Sequence, residues 1–147
     1  MSRFFKFFDS SKSTDQIEKV VDPTQLATVV LMIEMARADF HQEDLEDQKI
    51  IDLLEHHFDL SHEDAVALFT RGQKKADDSV SLHEFTRTLH TNLSQADKEE
   101  VIGLLWQLAM VDEKLDRYED YLVRKVADLL YVSNTVVLRI RHQVTAK

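Results

Sequence analysis

Residues 26–38 read Leu-Ala-Thr-Val-Val-Leu-Met-Ile-Glu-Met-Ala-Arg-Ala, and residues 101–111 read Val-Ile-Gly-Leu-Leu-Trp-Gln-Leu-Ala-Met-Val. Wound at 3.6 residues per turn, each stretch is apolar almost all round and presents no wide polar face to water. Such helices belong in the centre of a bundle. Neither approaches the roughly 20 apolar residues that a bilayer span requires.

The flanking segments supply the rest of the bundle. Asp22-Pro23 starts the first central helix, with the aspartate as N-cap and proline at the first helical position. The next helix, from about Glu43 to Phe58, is amphipathic, with Leu45, Ile50, Leu53, Leu54 and Phe58 as its inner stripe. Ser61 with Asp64 opens another as an approximate capping box, and Ser81 with Glu84 forms a full one. Ser94 opens the helix that contains the second apolar stretch. Asp116 with Glu119 caps a sixth, which buries Leu122, Val126, Leu129 and Leu130. Ser133 precedes the last, which carries Val136, Val137 and Ile140 and ends among Arg139, Arg141, His142 and Lys147. Cations suit a helix C-terminus without further purpose. With only Gly72, Gly103 and Pro23 as turn-formers, the chain lacks the material for a β-rich fold. The expected class is all-α, a small bundle of about seven helices.

A duplication is visible. An offset of 73 (112 − 39) carries Ala36-Arg37-Ala38-Asp39 onto Ala109-Met110-Val111-Asp112, Glu46 onto Glu119, Ile50 onto Val123 and Phe58 onto Tyr131. Ser61 and Ser133 match with a slip of one residue. Each copy is a helical hairpin, about 24–61 and about 97–134, that cannot bury its apolar face alone, so the two are expected to pack together. The organisation read from this is an arm of residues 1–13 followed by one domain, 14–147.

Composition narrows the function classes. With 147 residues, 44% apolar and 31% charged, the chain is sized for one folded domain. It has no cysteine, which excludes disulfides and thiol chemistry and suits a cytoplasmic setting. No cleavable signal segment opens it. The net charge of −9 disfavours nucleic acid and permits a cation or a basic partner, although solubility alone explains it as well. The arm holds Phe4, Phe5, Phe7 and Phe8 between Arg3, Lys6 and a polar stretch. It suits a partner groove, peripheral contact with a membrane, or packing on the chain's own core.

The pairs Asp39/Glu46 and Asp112/Glu119 are the sharpest chemical constellation. Each aspartate follows a helix C-terminus, where the dipole disfavours negative charge unless a cation or donor compensates. If the hairpins pack about a pseudo-twofold axis, four carboxylates gather, and all-oxygen ligands favour calcium, magnesium or manganese over zinc. Helix capping explains Glu46 and Glu119 equally well, and the same spacing recurs from Asp77 to Glu84 outside the repeat. No EF-hand register fits, because Asp78 stands where the turn glycine belongs. His56 and His57 are adjacent and point apart, while His83 and His90 lie seven apart as two surface imidazoles. His41 is the one histidine near a candidate site. No phosphate-binding loop, dinucleotide fingerprint or nucleophile–base motif is present, so an enzyme is not expected.

Met35-Ala36-Arg37-Ala38-Asp39 with Glu46, and Leu105-Trp106-Gln107-Leu108-Ala109-Met110-Val111-Asp112 with Glu119, resemble the tellurite-resistance TerB family, including the TerB-like domains of some DnaJ-type co-chaperones. The resemblance covers roughly residues 24–140. It implies an all-helical bundle that binds a divalent cation through Asp39, Glu46, Asp112 and Glu119, in stress or tellurite resistance and without a known reaction. One departure is informative. The family's glycine after the aspartate is Phe40 in one copy and Glu113 in the other, and a Cβ resists the left-handed backbone that glycine allows. The expected role is cation-modulated docking to a protein partner. The alternative is a metal-free interaction or scaffold module.

Overall fold

Asp22 opens helix α1 (Pro23–Arg37) as an N-cap should. Its carboxylate accepts the Thr24 backbone N–H at 2.8 Å and the Thr24 hydroxyl at 2.6 Å. The computed structural model describes residues 21–37, 44–78, 81–110 and 117–146. Six further helices follow in it: α2 (Asp44–Phe58), α3 (His62–Asp78), α4 (His83–Asn92), α5 (Gln95–Ala109), α6 (Arg117–Leu129) and α7 (Asn134–Thr145). No strand occurs among the described residues. The protein is an all-helical bundle, as the scarcity of glycine and proline requires.

The two apolar stretches occupy its centre. Eleven of the fifteen residues of α1 are buried, and the helix packs on α3, α4 and α5. Helix α5 buries Val101, Ile102, Leu105, Trp106 and Leu108 among others, and lies against α1, α6 and α7. Trp106 is fully enclosed; its indole N–H donates to the Val137 carbonyl at 3.2 Å and ties α5 to α7. Gly72 lets α1 and α3 approach closely, since a Cβ there would lie 2.3 Å from Val29 Cγ1. Gly103 faces Ile140 of α7, where a Cβ would make an ordinary contact 3.6 Å from Cγ2.

The serine caps are made where expected at Ser61, Ser94 and Ser133, whose hydroxyls accept from Asp64, Asp97 and Val136. Ser81 differs. It accepts the His83 N–H at 3.0 Å, two residues on, and helix α4 begins after Leu82, which already has helical dihedrals. The capping box with Glu84 is not formed; Glu84 instead lies 3.8 Å from Lys75. Asp77, the other member of the third Asp–Glu spacing, pairs with Arg37 at 2.7 Å. In α6, Val123 is buried and Leu129 only half-buried, because Leu130 turns inward where the helix ends.

Helices α2 and α6 end alike. Asp59 and Tyr131 take left-handed backbones, φ 56° and 61°. Beyond them the Leu60 N–H bonds back to the Glu55 carbonyl and the Val132 N–H to that of Ala127, closing each helix in a Schellman turn. This register aligns Phe58 with Leu130, both buried, rather than with Tyr131, which is 73% exposed.

Candidate functional site

The last turn of α1 meets the first two turns of α6 and the start of α4 around a groove of about 430 Å3. Glu34 and Arg37 come from α1, His83 from α4, and Tyr118, Tyr121 and Lys125 from α6. The two tyrosines stand one helical turn apart, half exposed at 52% and 53%, with stacked rings 5.9 Å between centroids. One position past Tyr118, on the inward face of the same turn, Glu119 is 2% exposed. A carboxylate so far from water is held in place by donors or a cation.

Of the four carboxylates singled out, Glu119 is thus placed, buried in the first turn of α6. Glu46 falls in the first turn of α2, with its side chain outside the described residues. Asp39 and Asp112 also lie outside them, as do His41, Asp116 and the phenylalanine arm. Among the described residues no group of three or more His, Asp or Glu side chains is arranged to hold a metal ion.

The remaining histidines behave as surface or structural groups. His83 Nδ1 lies 3.3 Å from the Ser81 hydroxyl, but that hydroxyl accepts the His83 N–H, and no carboxylate among the described residues orients the imidazole. A serine–histidine contact lacking the third group is not an acyl-transfer centre. His90 Nδ1 is 2.7 Å from the ammonium of buried Lys98 and its ring packs on Tyr131, a contact that sequence spacing did not indicate.

A second groove, of about 530 Å3, runs between α5 and α7 beside His57 of α2. Gly103, Leu104, Ile140 and Val144 line its apolar part, and Glu99, Glu100 and Arg139 its charged part. Glu99 accepts from Arg139 at 2.8 Å, and Glu100 lies 3.8 Å from His57. Burial pushes the His57 imidazole below its ordinary value, against the opposing pull of Glu100 and Asp97. Sequence reasoning passed over both grooves. The available signal was Tyr118, Tyr121 and Lys125 at helical spacing on the polar side of α6, an unusual place for two aromatic rings.

With both grooves and the buried glutamate in view, the comparison with known families is decisive for kinship. The family model described as Tellurite resistance protein TerB matches residues 25–142. The chain belongs to the TerB family. The match touches all seven described helices and takes in Asp39, Glu46, Asp112 and Glu119. No curated protein and no solved structure matches the chain. Among the described residues no helix is long and apolar enough to cross a membrane.

Proposed function

We propose that this TerB domain is a non-enzymatic cytoplasmic module that binds a divalent cation through Asp39, Glu46, Asp112 and Glu119 and docks to a protein partner, in tellurite or stress resistance. What supports it is the match to the TerB family model across residues 25–142, which takes in all four carboxylates, with Glu119 buried in the first turn of α6. Asp39 follows two residues after Arg37 of that groove, and Asp112 precedes α6 by the short segment that ends at Arg117. The donors are all carboxylate oxygens, which suit a hard cation. A bound cation would neutralise acids that follow helix C-termini in the sequence.

The test is thermal unfolding of metal-stripped protein titrated with calcium, magnesium, manganese and zinc. Binding to the folded state alone raises stability by about 2.7 kcal/mol at a hundred times the dissociation constant. A saturable rise in Tm that disappears in the Asp39→Asn, Asp112→Asn double variant is the expected result. A Tm indifferent to every ion would dismiss the cation site.

The metal-free docking reading is favoured by a different observation, the stacked and exposed Tyr118–Tyr121 pair beside Arg37 and Lys125. Tyrosine and arginine are over-represented among residues that dominate binding energy at interfaces. Under this reading Tyr118→Ala with Tyr121→Ala abolishes partner capture, while Asp39→Asn leaves it intact.

A further inference from the structure

The α5–α7 groove has an apolar floor and a charged rim of defined sign. Its lining acids are Glu99 and Glu100 and its one strong cation is Arg139, already engaged by Glu99. His57, 3.8 Å from Glu100 and held toward its neutral form by burial, is a weak counter-charge for that carboxylate at neutral pH. The groove therefore suits a segment that carries phenylalanines and positive charge together. This chain contains one such segment, Arg3-Phe4-Phe5-Lys6-Phe7-Phe8.

We propose that residues 3–8 dock in the groove between α5 and α7 of their own chain, with phenylalanines on the floor formed by Gly103, Leu104, Ile140 and Val144 and with Arg3 and Lys6 toward Glu99 and Glu100. Reach permits it. The connector from residue 9 to residue 20 can extend to roughly 40 Å, against a radius of gyration of about 15 Å for a domain this size. Charge selects between the two grooves. The one beside α6 is lined by a single acid, Glu34, with two cations, Lys125 and the Asp77-paired Arg37. The α5–α7 groove sets two acids against the paired Arg139, so Arg3 and Lys6 are better matched there. The absence of Cβ at Gly103 widens the floor where an aromatic ring would rest. The docked arm covers a face that an outside partner could otherwise use, so the contact is self-masking. It does not depend on the cation.

The chain has no cysteine, so Ser2→Cys in the full-length protein takes a single nitroxide label. The readout is paramagnetic broadening of backbone amides in the isotope-labelled protein. The amides of Glu100, Gly103, Gln107 and Gln143 should lose intensity, while those of Tyr121 and Lys125 keep theirs. Glu99→Lys with Glu100→Lys, at exposed or half-buried positions that leave the core intact, should restore the lost signals. Uniform intensity, or broadening centred on Tyr121 and Lys125, overturns the assignment. So does broadening in a mixture of nitroxide-bearing unlabelled chain with isotope-labelled chain lacking the nitroxide, because the occupant is then a second copy's arm.

Discussion

Helix α1 is sealed against α3, whereas α5 leaves an open groove beside α7, and a glycine stands at each crossing. Gly72 is on the outer helix of its pair, directly under the stiff, fully buried Val29, and its missing Cβ is the space that Val29 occupies. Gly103 is on the central helix of its pair, and its missing Cβ is space that Ile140 does not fill. Two helices of nearly the same apolar character are thus finished differently. The α1–α3 crossing is closed over Gly72; the α5–α7 crossing is tied by the Trp106 anchor and borders a groove.

The largest expected effect lies at that anchor. Trp106→Ala removes a fully buried indole and its bond to Val137, and should cost about 3–5 kcal/mol in chemical denaturation, collapsing the α5–α7 side first. The glycines test the contrast directly. Gly72→Ala should lose about 1–2 kcal/mol net, because overpacking against Val29 outweighs the gain in helix propensity. Gly103→Ala should be neutral or gain up to about 1 kcal/mol, since its Cβ meets only an ordinary contact. Equal effects in the two variants would remove the distinction between a sealed and an open crossing.

Gln25 sharpens it from another direction. It is fully buried in the first turns of α1, and neither amide atom has a hydrogen-bond partner among the described residues. Gln25→Leu should stabilise the protein by about 1 kcal/mol in the same denaturation measurement, because a buried unpaired amide carries a desolvation cost that an apolar group does not. A loss of stability would mean that the amide is engaged. The smallest effect concerns pH. The folded-state value of His57 is lowered, so its contribution is complete above the ordinary imidazole value of 6.5 and is lost as pH falls through the folded value. Tm measured against pH should therefore decline on the acid side, and His57→Gln should flatten that part of the decline.

Several elements were legible because their causes are local. The Asp22-Pro23 start, the serine caps at 61, 94 and 133 and most of the apolar stripes (Ile50, Leu53, Leu54 and Phe58 in α2, Leu122, Val126 and Leu130 at α6) depend on residues within one or two turns, and the structure reproduces them. The Ser81 box failed for an equally local reason: the hydroxyl found the nearer His83 N–H, and the helix began one residue later. The offset that carried Phe58 onto Tyr131 failed because the two helices close in the same turn at Asp59 and Tyr131, 72 positions apart rather than 73. Of the four candidate cation ligands, the structure describes the side chain of Glu119 alone, and it is buried. The Asp39 and Asp112 assignments rest on the sequence pattern.

By itself the sequence determined the helical class and the identity of the two central helices, because apolar periodicity and capping are properties of neighbouring residues, and its motifs carried the resemblance to the TerB family. Tertiary structure alone decided which glycine closes a gap and which leaves one. It also decided that Tyr118 and Tyr121 share a groove with Arg37, and that Glu99, Glu100 and His57 border an apolar floor. Those relations join residues tens of positions apart, and only the packing of one helix on another brings them within reach.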